Sequence, residues 1–117
     1  MARLRSDFWV AAYLRQCAID MVDAVLRYRG AAEAGTIFVK VDHRDGTASL
    51  FGPAPQSLVE SSSSDRLFTT LLARASPADV EDRIRRERKF DPDLWLLEVD
   101  SGTMPPHLAI VDEPDSG

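Results

Sequence analysis

Three side chains able to bind a metal ion or transfer a proton lie close together at Asp42, His43 and Asp45. Carboxylates beside a histidine can hold a divalent cation that activates a phosphate ester, and nearby arginines can bind the phosphate. The chain has two histidines and one cysteine and contains no H-x-x-x-H pair, so a complete ligand set is lacking. We therefore assign no metal ligand. We keep these three residues as the polar site of an alternative function, a small metal-dependent enzyme or binder acting on nucleic acid or another phosphate ester.

The lone cysteine, Cys17, is the other candidate for chemistry, as a nucleophile. It lies at helical spacing from Val10, Leu14 and Met21, on the apolar stripe of a predicted first helix. A cysteine in that setting acts as a small buried hydrophobic residue. The chain has no G-x-S-x-G motif, and residues 30–35 lack the lysine and following helix of a phosphate-binding loop. We assign no catalytic residue and no cofactor.

Basic residues are concentrated in a predicted second helix, where Arg85, Arg86 and Lys89 share one face. Such a patch attracts phosphates. The same helix carries acid-first pairs four residues apart, which predict a salt-bridged, solvated surface: Asp79–Arg83, Glu81–Arg85 and Asp82–Arg86. Together with a formal net charge of −5 for the whole chain, these pairs argue against nucleic acid as a partner.

The stretch from residue 36 to residue 57 predicts a β-hairpin that leads into a proline-containing arm. Asp45-Gly46 favours a two-residue type I′ turn, and this turn sets Lys40 opposite Phe51. In that register Phe38 and Phe51 share the outer face of the hairpin and form an apolar patch. Three kinds of cover remain open for this patch: the first helix, through Phe8, Ala12 and Ile19; a second copy of the chain; or another protein.

The arm has the sequence GPAPQS and occupies residues 52–57. Pro53 and Pro55 have no N–H for a strand ladder, so the strand is predicted to end at Gly52. One proline is enough to end a strand, and the second favours a stiff polyproline II segment of the kind used in recognition. The predicted partner-binding residues are therefore Phe38, Phe51, Pro53, Pro55 and Gln56.

Hydrophobic periodicity and capping signals predict the other elements. The second helix begins at a Ser76 cap with Pro77 at its first position, and it ends by Phe90 because Pro92 follows. Residues 66–72 form either a strand or a short helix, and residues 94–99, apolar on both faces, form a central strand. The prediction is an α+β fold: an antiparallel-dominated sheet of about five strands, in the order α-β-β-β-β-α-β, with two packed helices. The first three strands are predicted to form a meander.

Chain length and composition limit the domain organisation. We predict a single α+β domain at residues 1–100 and a loosely ordered, acidic, proline-containing tail at residues 101–117. No stretch approaches the ~20 apolar residues of a membrane helix. A single cysteine excludes an internal disulfide and fits a reducing compartment. We expect a cytoplasmic protein that does not associate with membranes.

Three blocks of the sequence resemble a known family: FWVAAYLRQC, AGTIFVKVDHRDGTASLFGPAPQS and FDPDLWLLEV. In this order they resemble the signature blocks of a small bacterial family, domain of unknown function 1491, over residues 4–99. The resemblance implies a small stand-alone bacterial protein and brings no activity, so no catalytic residue is carried over. We expect a non-catalytic interaction or regulatory module that forms a homodimer, or binds an unknown protein partner, through the outer sheet face and the GPAPQS arm.

Overall fold

The computed structural model describes residues 4–55, 66–102 and 105–112. These residues form two helices and five strands in the predicted order α-β-β-β-β-α-β, so the α+β prediction is confirmed. Within residues 66–72 the structure forms strand from residue 68 onward and no helix. The elements are α1 (Ser6–Ile19), β1 (Asp23–Tyr28), β2 (Ile37–Asp42), β3 (Ala48–Pro53), β4 (Phe68–Ala75), α2 (Pro77–Phe90) and β5 (Trp95–Asp100).

The five strands form one mixed sheet in the spatial order β1-β5-β2-β3-β4. Only β2 and β5 run parallel among the paired strands described, and the other neighbours are antiparallel. The predicted meander of the first three strands is wrong, because β5 lies between β1 and β2. The meander is instead β2-β3-β4. The placement of β5 follows from its apolar character on both faces, since such a strand is most stable where both faces are covered.

The register of the β2–β3 hairpin differs by one residue from the prediction. Lys40 pairs with Leu50 rather than Phe51, and residues 44–46 form a three-residue loop closed by a hydrogen bond from His43 N to Thr47 O of 3.1 Å. Two aspartates stabilise this loop: Asp42 Oδ1 accepts from Arg44 N at 2.9 Å, and Asp45 Oδ1 accepts from Thr47 N at 3.0 Å. Arg44 and Gly46, with φ of 65° and 87°, take the left-handed conformations that the loop requires.

A one-residue change of register reverses the face on which every side chain of a strand lies. For this reason Phe51 lies on the side of the sheet that carries Val39, and Leu50 lies on the side that carries Phe38, the reverse of the prediction. Both sides are covered. The α1-side core consists of Val10, Tyr13, Cys17, Ile37, Val39, Val41, Phe51, Phe68, Trp95, Leu97 and Val99. The α2-side core consists of Phe38, Ala48, Leu50, Val80, Ile84, Leu94 and Leu96.

The helix α1 covers its side of the sheet with one stripe, through Val10, Tyr13 and Cys17. Cys17 is fully buried, as its stripe predicts, whereas Met21 lies beyond the end of the helix and is exposed. The other helix, α2, begins and ends as predicted. Ser76 accepts a hydrogen bond from Asp79 N at 3.1 Å, and the helix stops at Phe90.

Residues 109–112 lie against β4, and His107 pairs with Asp20 at the end of α1. Ile110 forms a parallel bridge with Phe68, and Asp112 accepts hydrogen bonds from Thr70 N at 2.7 Å and from the Thr69 hydroxyl at 3.0 Å. The division of the chain at residue 100 into a domain and a loosely ordered tail stays a prediction. Among the described segments, no helix is both long enough and apolar enough to span a membrane.

Candidate functional site

The three polar residues of the predicted alternative site do not converge. Asp42 caps the hairpin loop through Arg44 N, and Asp45 binds Thr47 and pairs with Arg74 at 3.0 Å. The hydrogen bonds from Thr47 and the charge of Arg74 lower the pKa of Asp45. Both carboxylates therefore stabilise the turn. No group of three His, Cys, Asp or Glu side chains in the described ranges is placed to hold a metal ion.

His43 is 5% exposed, and its Nε2 lies 2.7 Å from Ser49 Oγ, which also accepts from Arg74 N at 2.9 Å. A catalytic dyad of this kind needs a partner for the second ring nitrogen and access for a substrate. Within the described part of the chain, Nδ1 of His43 has no hydrogen-bond partner, and Ser49 is buried. The pair is a buried polar contact beside the hairpin.

The two aromatic residues predicted to share an outer face lie on opposite faces of the sheet. Phe51 is 1% exposed in the α1-side core, and Phe38 is 6% exposed in the α2-side core. The prediction that they form one apolar patch is therefore wrong, because the three-residue loop reverses the face of the sheet on which each β3 side chain lies. Of the three kinds of cover left open, the first helix does cover Phe51, and it does so through Val10, Tyr13 and Cys17. The side of that helix expected to provide the cover, with Phe8, Ala12 and Ile19, is exposed.

The two prolines of the arm are exposed, whereas Gly52 is buried and Ala54 is half-buried. Pro53 still pairs with Phe68 at the end of β3, so the strand runs one residue further than predicted, and Ala54 N donates to Leu67 O at 2.9 Å. The side chains of Pro53 and Pro55 are exposed. Gln56 lies outside the described residues.

Arg66 connects the start of α1 with the end of β3. This arginine donates to Leu4 O and to Ser6 Oγ, each at 3.0 Å. It also lines, with Pro53, a small cavity of about 90 Å³. Arg66 therefore lies between Pro53 and the start of α1.

The side of α1 opposite the α1-side core is exposed and mostly apolar. Phe8 is 56% exposed and Ile19 is 66% exposed, with Ala12 and Arg15 between them. We call these four residues the outer α1 face. The sequence indicates that this helix is apolar on two sides, but the structure shows that the chain covers only one of them.

A second feature, which the sequence did not reveal, is a set of charges between the sheet and α2. Glu81 accepts from Arg27 at 2.8 Å and from Lys40 at 2.7 Å, and Glu98 lies 3.1 Å from Arg27 and 3.7 Å from Lys40. The hydrogen bond from Arg27, supported by that from Lys40, lowers the pKa of Glu81 to about 2. The same pairing raises the pKa of Arg27.

The ion pairs on α2 differ from those that the sequence predicts. Among the described residues, Arg83 pairs with Glu87 at 3.1 Å and Arg85 pairs with Asp82, while Glu81 binds the sheet. Arg88 stacks on the ring of Tyr28, with its guanidinium carbon 3.8 Å from the ring centroid. Basic side chains of α2 and β1 thus meet in an open groove, although some sixty residues separate them in the sequence.

Comparison with known proteins gives a family and related structures. The family model described as "Protein of unknown function (DUF1491)" matches residues 4–108. A solution structure of a protein from A. tumefaciens has 36% identity and a TM-score of 0.81, covering 97% of this chain and 99% of that one. A crystal structure of a DUF1491 family protein from Caulobacter crescentus CB15 has 29% identity and a TM-score of 0.74, covering 92% and 97%. An NMR structure of a DUF1491 family protein from Caulobacter crescentus CB15 has 28% identity, a TM-score of 0.74 and coverage of 95% and 99%. The search of curated proteins found no match.

Proposed function

Because the chain belongs to the DUF1491 family of proteins of unknown function, we propose a function from its geometry: a non-catalytic interaction module that self-associates through the outer α1 face. The observation that carries this proposal is the exposure of Phe8 and Ile19, at 56% and 66%, on the side of α1 opposite the core. An exposed aromatic and an exposed β-branched residue on one helix face are typical of a surface that another protein covers.

A second copy of the chain fits this face because the face is complementary to itself. Phe8 and Ile19 lie near the two ends of α1, eleven residues or about 16 Å apart at 1.5 Å per residue. Two α1 helices packed antiparallel about a two-fold axis bring Phe8 of one copy against Ile19 of the other, twice. Ala12 near the centre allows close approach, and Arg15 can extend its charged end to solvent.

The proline arm extends this surface at one end. Pro53 and Pro55 are exposed, and Pro53 lines a cavity with Arg66, which donates to the backbone of the exposed Leu4. A proline segment has little conformational freedom to lose on binding, so it adds contact area at a low entropy cost. Phe38 and Phe51 take no part in this proposal because both are buried.

A non-catalytic role agrees with how the candidate polar side chains are used. Asp42 and Asp45 bind the backbone of their own loop, and His43 is buried against Ser49. In this arrangement each group stabilises the hairpin. We place the module in the cytoplasm, as expected for a chain with a single, buried thiol.

The oligomeric state in solution tests this proposal. Sedimentation equilibrium of the full chain should show a mass that rises from monomer to dimer with concentration. Phe8→Ser and Ile19→Ser should each shift that equilibrium toward monomer. Phe90→Ser is the matched control, because Phe90 is 93% exposed at the end of α2 and lies outside the outer α1 face. A wild-type protein that stays monomeric at millimolar concentration, or equal effects of all three substitutions, would show that the proposal is wrong.

A further inference from the structure

An open groove lies between β1 and the last three turns of α2, on the face of the sheet opposite α1. Its volume is about 630 Å³, which is within the range of small-molecule sites. The floor is apolar at Ile84, and the ring of Tyr28 forms one wall. The charged lining residues are Arg27, Glu81, Arg85, Arg88 and Lys89.

The groove is cationic in an acidic protein. Four of its charged lining side chains are basic and one is acidic, in a chain with a net charge of −5. Arg27 is balanced by Glu81 and Glu98, and Arg85 pairs with Asp82. The single acid, Glu81, is already bound by Arg27 and Lys40. In the described part of the chain, Arg88 and Lys89 have no carboxylate within 4.0 Å. Their charges are therefore available to an anion.

The guanidinium of Arg88 is held in place by an aromatic ring. It stacks 3.8 Å from the centroid of Tyr28, and the guanidinium of Arg27 lies 5.4 Å from the same ring. Stacking uses the flat face of a guanidinium and leaves its N–H groups free at the edge, where they bind carboxylate or phosphate oxygens in pairs. A pre-ordered arginine loses less side-chain entropy when it binds an anion.

We propose that this groove is a binding site for a small anion that carries two linked phosphoryl groups. Arg88 and Lys89 are the two lining cations without a carboxylate partner among the described residues, so each can bind one of two linked, negatively charged phosphoryl groups. A nucleic-acid strand fits less well, because the acidic chain repels a long polyanion and the ring of Tyr28 is already stacked against Arg88. Binding here is independent of contacts at the outer α1 face, which lies across the sheet.

Isothermal titration calorimetry of the full chain with inorganic pyrophosphate and with ADP tests the site. We expect both probes to bind, with binding weakened by salt. Arg88→Gln should reduce the affinity about 10- to 100-fold, as expected for a lost charge-assisted hydrogen bond. Arg86→Gln is the matched control, because Arg86 is an exposed arginine of the same helix outside the groove lining, and it should change the affinity less than about twofold.

Further variants and probes separate the alternatives. Arginine and lysine in the last turn also stabilise a helix through its dipole, so melting temperatures are measured beside affinities. If Arg88→Gln fails to fold, Lys89→Gln removes another groove cation and should also weaken binding. A higher affinity for ADP than for pyrophosphate identifies a nucleotide as the source of the phosphates, and equal affinities identify the phosphates alone.

Four results overturn the proposal. The first is the absence of binding to either probe at millimolar concentration. The second is an equal loss of affinity in Arg86→Gln and Arg88→Gln, which indicates non-specific attraction. The third is citrate binding as tight as pyrophosphate binding, which contradicts the choice of phosphate. The fourth is binding to a single-stranded oligonucleotide in preference to both small probes.

Discussion

Glu81 accepts hydrogen bonds from both terminal nitrogens of Arg27, at 2.8 and 3.0 Å, and so links α2 to the edge strand β1 across 54 sequence positions. The same carboxylate accepts from Lys40 at 2.7 Å. These side chains are more than two-thirds buried. Together with Glu98, these residues form a cluster of two basic and two acidic side chains, so the charges balance where α2 packs on the sheet.

We predict that Glu81→Gln destabilises the fold by about 1–3 kcal/mol, since it leaves two partly buried cations with one carboxylate between them. Urea unfolding, followed by circular dichroism, gives the value. Asp82→Asn is the control one residue away, because its pair with Arg85 is exposed and should contribute less than about 1 kcal/mol. Equal losses in the two variants would contradict a special role for the cluster.

The pH dependence of stability should show the titration of the Glu81 carboxylate. The pKa of Glu81 in the folded state is lowered to about 2, from an ordinary value of 4.5. A lowered folded-state pKa means that the stabilisation is fully present above about pH 4.5 and is lost as the pH falls toward 2. The difference in unfolding free energy between wild type and Glu81→Gln should therefore shrink as the pH falls from roughly 5 to 2. A difference that stays constant over this window would exclude Glu81 as the titrating group.

Cys17 should be unreactive in the folded protein. Its side chain is fully buried in the α1-side core, and burial raises the pKa of its thiol, so little thiolate is present at neutral pH. Labelling with a thiol reagent should be slow in buffer and fast in denaturant. Fast labelling in buffer, without loss of structure, would indicate that α1 opens or that the thiol is activated.

Gly30 should not tolerate a side chain. A Cβ at this position would lie 2.6 Å from Leu94 C and 2.7 Å from Leu94 O, which are backbone atoms that cannot turn aside. We expect Gly30→Ala to cost about 1–3 kcal/mol, because the loop must move away from the start of β5. Ala34→Ser, at an exposed position of the same loop, should change the free energy of unfolding by less than about 0.5 kcal/mol. Similar values for both variants would show that the loop adapts freely.

Replacing Pro55 tests whether the proline arm takes part in self-association of the chain. If the arm lies at the edge of the dimer contact, Pro55→Ala should weaken self-association about 2- to 10-fold, since the arm must then be ordered on binding. Pro92→Ala, which changes an exposed proline in the turn after α2, serves as the control. If Pro55→Ala lowers stability by about 0.4–1 kcal/mol and leaves the dimer unchanged, the proline only stiffens the chain.

Local signals in the sequence determined the elements and their order. The Ser76 cap and Pro77 mark the start of α2, and Pro92 marks its end, because caps and prolines act on backbone groups within one helical turn. The run of residues 94–99, apolar on both faces, placed β5 inside the sheet for a similar reason. The burial of Cys17 followed from its place on a helical stripe.

The tertiary structure alone decided the register and the surfaces. Asp45-Gly46 signals a hairpin, but a two-residue loop and a three-residue loop differ by one residue. The choice between them depends on the turn hydrogen bonds of Asp42 and Asp45 and on how both faces of β3 pack against two cores. That single residue moved Phe51 from a predicted outer face to the α1-side core. The contacts of Glu81 with Arg27, and of Arg88 with Tyr28, join β1 to α2 over long sequence separations. No short-range pattern encodes such contacts, because they form only when the sheet brings β1 and α2 together.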